Sequence, residues 1–439
     1  MLRLPLPSLP PLFVARILAR DPQHGQALLD ALEGPRTYAL RVNTLKTSPV
    51  DILRWLPFHL SPVPWCSAGY YYAGDEKPGQ HPLHWAGLYY IQDASAMYPV
   101  ESLDVEPHHK VLDLSAAPGG KATQILAHLQ GQGLLVANEV DAARAQTLVY
   151  NLESFGADNF AVVNSPPAVL ARALPNYFDR ILVDAPCSGE GLFRKDYAAR
   201  QSWRSEHVAS SAARQEEILT SALHMLRSGG KMVYSTCTFA EEENEWLLAN
   251  MAAKESSLQL HQPTVRLLPH LVPGEGQFSA VLTKNTATPL TETKVRLFRP
   301  AAPPGKAVKL MQEFAGPSYS QDSARLHAQG DTLYRIPRGM PDLVGVRIVR
   351  LGLKLGTAHE KRFHPDHAFA LSLTPPHLPR LDYKSDDPRL LSYLHGHVIP
   401  CALDVEGWVL ICCEGFPLGL GKASQGQVKN HLPKGLRKL

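Results

Sequence analysis

Residues 110–123 read KVLDLSAAPGGKAT: an apolar strand, a turn of small residues and glycines, then a segment, KATQILAHLQ, with helical spacing. The rhythm continues downstream. LLVANE and AVVN read as strands either side of an amphipathic helix in DAARAQTLVYNLESFG; RILVDA is a further strand, and a helix from about 205 to 227 leads through Gly229 and Gly230 into KMVYSTC. Short apolar strands alternating with amphipathic helices predict an α/β core, a mainly parallel sheet covered on both faces. Ligands of such sheets bind outside the carboxyl ends of the strands. Two cysteines fall at that edge: Cys187 in ILVDAPCSGEG and Cys237 in KMVYSTCTF.

The turn narrows the ligand. Glycines let the backbone approach a bound molecule, and the following helix offers free N–H groups. The G-x-G-x-x-G spacing of dinucleotide folds is absent, and the P-loop pattern fails because Ser115 stands at its first glycine and Ala122 at its Ser/Thr. The second strand ends on Glu139, where a carboxylate is the usual partner of a ribose diol. A nucleoside cofactor without a polyphosphate fits, S-adenosylmethionine best. Position alone leaves a second reading of Glu139, as a cap for the helix starting near Asp141.

Composition sets wider bounds. With 439 residues and 44% apolar content the chain can form several compact domains, and a formal charge of +3 means that any nucleic-acid surface must be local. The six cysteines form no CxxC pair and no zinc-type spacing, so neither a disulfide framework nor a metal site is expected. A reducing cytoplasm is the simplest setting. The N-terminal MLRLPLPSLPPLFVARILAR is apolar but interrupted by four prolines, and no window has the roughly 18–20 apolar residues of a membrane span.

The motifs LDLSAAPGGKAT, FDRILVDAPCSGEGLFRKD and GGKMVYSTCTFAEEENE, in that order, resemble the Nop/Sun family of RNA (cytosine-5-)methyltransferases and within it the bacterial RsmF/YebU-like branch acting on small-subunit ribosomal RNA. LRVNTLK, HWAGLYYIQDASAM, GEGQFSAVL, EKRFHPDHAFALSL and the terminal GWVLICCEGFPLGLGKASQGQVKNHLPKGLR extend the resemblance over most of residues 36–439. It implies a Rossmann-like S-adenosylmethionine-dependent methyltransferase core, an N-terminal α+β RNA-binding domain and a C-terminal β-rich, PUA-like region. The corresponding boundaries are 1–100, a catalytic domain 101–285, a linker 286–305, a β-rich domain 306–384 and a PUA-like region 385–439.

The resemblance also assigns roles. Carbon 5 of cytosine is a poor nucleophile, so an enzyme first adds a thiolate at carbon 6. Cys237 matches the family's attacking cysteine, and Cys187 the one that assists release. Asp184 matches a carboxylate that meets cytosine N3, and Lys121 helps hold the loop, cofactor or target. The cofactor set is Ser115, Ala116, Ala117, Pro118, Gly119, Gly120, Lys121, Glu139, Asn164 and Asp184. Ser115 stands where many relatives have Cys, Ala122 where Thr is common, and Asn164 where an Asp faces adenine.

The expected partner is ribosomal RNA, in the small subunit, with a monomer as default; the same chemistry on transfer RNA and a non-catalytic assembly protein are the competing readings. Lys422, Lys429, Lys434, Arg437 and Lys438 form a basic tail suited to phosphate. Arg347, Arg350, Lys354, Lys361 and Arg362 are weaker candidates. The aromatic run around Tyr70, Tyr71 and Tyr72 serves either base stacking or core packing.

Overall fold

The computed structural model describes residues 7–286, 295–316, 322–372 and 378–437. Lys438 of the basic tail and part of the 286–305 linker lie outside them. The strands expected from the sequence occur at Lys110–Asp113, Leu134–Asn138, Phe160–Val163, Phe178–Asp184 and Leu226–Thr236, all parallel. Successive side chains point to opposite faces. Thus Leu112, Val136 and Ile181 enter one core and Val111, Leu135 and Leu182 the other, each buried under helices.

The chain runs outward from Lys110–Asp113 through two strands, then returns to place Phe178–Asp184 on its other side. Between them the strand order reverses, and the loops after Asp113 and Asp184 part to form a crevice. Antiparallel strands flank the parallel five. Gln277–Lys284 pairs with Leu226–Thr236, and Ile348–Leu351, a strand far along the chain, pairs with Phe160–Val163. Met340, Leu343 and Val346, just ahead of that strand, join the catalytic core.

The N-terminal region pairs two helices, Pro11–Arg20 and Gly25–Glu33, with a four-stranded antiparallel sheet. Phe13, Ile17, Leu28 and Leu32 are buried, whereas Leu12 points to solvent. The C-terminal half holds a four-stranded sheet ending at Arg362–Pro365 and a five-stranded sheet from Arg380–Tyr383 to Gln427–Asn430. That last sheet shares a core with the N-terminal domain: Leu40, Val42 and Tyr89 pack with Tyr393, Val409 and Ile411, and the rings of Trp55 and Phe416 meet edge to face at 5.3 Å. No helix among the described residues is long and apolar enough to cross a membrane.

Candidate active site

The loop after Lys110–Asp113 is shaped by its backbone. Gly119, at φ +120°, precedes the helix Gly120–Leu129, which has no side-chain cap. A Cβ on Gly119 would stand 3.2 Å from Asn151 Cβ and 3.3 Å from Leu148 Cδ1, so the turn is available to glycine and strained for other residues. Neighbours hold the loop by its polar backbone atoms. Ala116 N–H donates to Asn138 O, while Arg144 and Asn151 donate to the carbonyls of Ala117 and Pro118 at 2.7 Å. Ser115 follows the strand end, and Ala122 is fully buried.

LRVNTLK, outside the catalytic sheet, reaches this loop through Arg41. Its buried guanidinium donates to Gly120 O at 3.0 Å, Thr123 Oγ1 at 2.7 Å and Gln92 Oε1 at 2.9 Å. The N-terminal domain therefore clamps the first turn of the loop's helix. Sequence reading found the motif but not this contact, which joins residues 79 positions apart.

Glu139 serves the capping reading and leaves room for the other. One oxygen accepts from Asp141 N–H at 2.9 Å and the other lies 3.4 Å from Arg144, yet a carboxylate has about four lone-pair sites. Asn164 directs its amide group to the carbonyls of Glu139 and Val140, at 2.7 and 2.8 Å, and so holds the backbone beside Glu139. An uncapped helix start, a glycine cradle and a buried carboxylate at the second strand end suit S-adenosylmethionine: amides for its carboxylate, Glu139 for its ribose.

Across the crevice lies a side-chain network. Asp184 accepts from Lys121 Nζ at 2.7 Å on one oxygen, and from Ser235 Oγ at 2.8 Å and Gln277 Nε2 at 3.1 Å on the other. Ser235 and Gln277 were missed as site residues, although both stand in quoted motifs. Beneath them Asp113 is fully buried and has, among the described residues, no hydrogen-bonding side chain, only the Ser115 amide nearby. Burial, then the Asp184 charge, push its carboxyl up to about 8. An acidic residue inside an apolar strand was the available signal. Burial opposes a charge on Lys121, but Asp184 outweighs it and raises the ammonium's pKa.

The two cysteines come together as expected, with Sγ atoms 3.4 Å apart. Their loops are pinned by Gly191, whose N–H donates to Cys237 O at 2.6 Å; a Cβ there would sit 2.6 Å from that oxygen. The thiols diverge. The bond from Cys187 lowers the Cys237 thiol's pKa, against burial and the Asp184 charge, with Lys195 and Lys121 assisting. The same bond, burial and the Glu243 charge push Cys187 well up. Glu243, which accepts from Ser188 N–H and Gln215 Nε2, is itself raised to about 7 by burial. Of the two thiols, Cys237 is therefore the readier to ionise and Cys187 the readier to keep its proton.

A reversed parallel sheet with a glycine cradle and a carboxylate at its second strand end defines an S-adenosylmethionine-dependent methyltransferase, and the paired cysteines suit a covalent route to carbon. Residues 100–294 match the family described as 16S rRNA methyltransferase RsmB/F. Residues 9–94, 310–373 and 380–438 match, in turn, the N-terminal domain, first C-terminal domain and PUA domain of RsmF. The ribosomal RNA small subunit methyltransferase F of Escherichia coli O157:H7 (strain EC4115 / EHEC) is 36% identical over 93% of this chain and 92% of its own, and that of Shigella sonnei (strain Ss046) 35% over the same shares. A methyltransferase homologue from Pyrococcus horikoshii superposes with a TM-score of 0.57 at 29% identity, covering 62% of this chain and 94% of that one. The chain belongs to the RsmF-type 16S rRNA (cytosine-5) methyltransferases.

Of the weaker basic candidates, Arg350 pairs with Glu153 at 3.1 Å and Lys354 with Asp366 at 2.9 Å. Lys422 and Lys429 instead lie exposed on adjacent strands, beside Trp408 and His431.

Proposed function

We propose that Cys237 attacks carbon 6 of a cytosine in 16S rRNA, that Asp184 serves N3, and that Cys187 assists release. The observation that carries this reading is the unequal thiol pair at 3.4 Å. The Cys237 thiolate forms the S–C6 bond, the C5=C6 electrons shift into C4=C5, and N3 takes up a proton carried by Asp184, which Lys121, Ser235 and Gln277 hold in place and which recovers that proton once carbon 5 is methylated. When bound, S-adenosylmethionine supplies an electrophilic methyl group to carbon 5. Release removes the carbon 5 proton to water, re-forms C5=C6 and expels Cys237 as thiolate. The Cys187 S–H then donates to that leaving sulfur.

Ser115, Ala116, Ala117, Pro118, Gly119, Gly120, Lys121 and Glu139 hold the cofactor, with Asn164 beside its adenine and Asp184 facing both ligands. Residues 1–100 and 385–439 grip RNA around the catalytic domain 101–285, with Lys422 and Lys429 on phosphate. The enzyme works as a monomer in the cytoplasm, where its six free cysteines stay reduced.

Denaturing electrophoresis after incubation with 16S rRNA and cofactor tests the roles. Cys237→Ala should abolish methylation and leave no covalent complex. Cys187→Ala should accumulate a protein–RNA adduct that vanishes in the double variant. An adduct in Cys237→Ala would reverse the assignment, and full activity in both single variants would end it.

A further inference from the structure

The aromatic run near Tyr70 divides between two environments. Tyr70 and Tyr89 are buried in the N-terminal core, whereas Tyr71 and Tyr72 join Tyr38 and Arg36 in lining an open cleft of about 790 Å³. The Tyr38 and Tyr72 rings are 5.7 Å apart, inclined at 39°, and the Arg36 guanidinium lies 5.7 Å from the centre of the Tyr38 ring. No acidic side chain lines the cleft, and Arg36 Nε has no hydrogen-bond partner among the described residues. Gly74 adjoins the Tyr38 ring; a Cβ there would stand 2.9 Å from Cε2, so a larger residue would displace the ring.

The cleft lies near the catalytic crevice. Tyr71 donates to Pro273 O at 3.0 Å, and four residues later Gln277 donates to Asp184. Four residues span at most about 14 Å. Thr37 N–H, on the cleft's rim, reaches Glu275 Oε1 within the same short segment. Half-buried aromatic faces beside an unneutralised guanidinium are the chemistry of a single-stranded nucleic-acid subsite: stacking for the base, charge for the phosphate. A cytosine drawn into the crevice leaves its neighbours without a stacking partner.

Resting on the reading that Asp184 meets the target cytosine, we propose that this cleft holds an unpaired base flanking that cytosine, stacked on Tyr38 and Tyr72 with its phosphate at Arg36. Every base has a π face, so the subsite grips position and is tolerant of base identity.

The test uses the full chain and RNA fragments centred on the methylated cytosine, with an abasic residue at each of three positions on either side. One abasic position should lower kcat/KM about ten- to hundred-fold, the range of one base–aromatic stack. In Tyr38→Leu/Tyr72→Leu the intact fragment should start lower by a similar factor and the same abasic residue cost less than about two-fold. Tyr72→Phe should behave as the parent. Arg36→Gln should reduce the slope of log affinity against log salt by about 0.7, one single-strand phosphate. A full abasic penalty in the leucine variant, no sensitive position in the parent, or an unchanged salt slope would each overturn the proposal. Failure of the catalytic reading appears elsewhere, as an adduct formed by Cys237→Ala on intact RNA.

Discussion

The two sides of the crevice are made of different material. The cofactor side is backbone: a left-handed glycine, an uncapped helix start and carbonyls held by Arg41, Arg144 and Asn151. The side proposed for the cytosine is ionisable side chains whose charges depend on one another: Lys121 with Asp184, Asp113 beneath them, Cys237 with Cys187 and Glu243. A backbone cradle tolerates changes of side chain that keep its path, which is how Ser115 and Ala122 can stand where relatives carry Cys and Thr. A coupled charge network has no such latitude, because removing one member shifts the protons of the others.

That contrast can be broken at graded depth. Asp184→Ala strands the Lys121 ammonium and removes the group proposed to serve N3, so kcat should fall about 10²–10⁴-fold in a methyl-transfer assay. A loss below ten-fold would show that the network is dispensable. Gly119→Ala tests the opposite side. A strained φ and two contacts near 3.2 Å should weaken cofactor binding about ten-fold by calorimetry, with kcat at saturating cofactor within about two-fold.

Asp113→Asn gives a smaller effect with a defined sign. The folded carboxyl titrates at about 8 and an unfolded one near 3.8, so the folded state binds more protons between those values and Asp113 lowers stability as pH rises through that window. The amide variant should therefore melt a few degrees higher than the parent at pH 8 and close to it at pH 4. Equal melting points at pH 8 would mean that the buried carboxyl is not strained. Smallest of all, Ser115→Cys should change cofactor affinity by less than about two-fold, since the turn is defined by its backbone.

What the sequence disclosed follows the same division. The parallel strands, the glycine turn and both cysteines are local features, and each lies in one continuous stretch whose spacing carries the signal. Asp184's partners are not local: Ser235 and Gln277 converge on it from positions 51 and 93 residues away, on two neighbouring strands. Tyr70 and Tyr71 are adjacent in sequence, yet one is buried in the core and the other lines the cleft, because consecutive strand residues face opposite ways. Glu139 makes the capping contact and keeps acceptor sites open, because its carboxylate has more of them than the Asp141 amide and Arg144 consume.

The late strand Ile348–Leu351 sets a clock on synthesis. It covers the outer parallel strand, Phe160–Val163, but 184 residues separate the two. At roughly 5–20 residues per second of translation, the edge of the catalytic sheet stays uncovered for roughly ten to forty seconds after Val163 is made. An exposed strand edge is a template for pairing with another chain. The nascent enzyme therefore carries its cofactor loop and both cysteines before its sheet is sealed, and only the C-terminal half closes that interval.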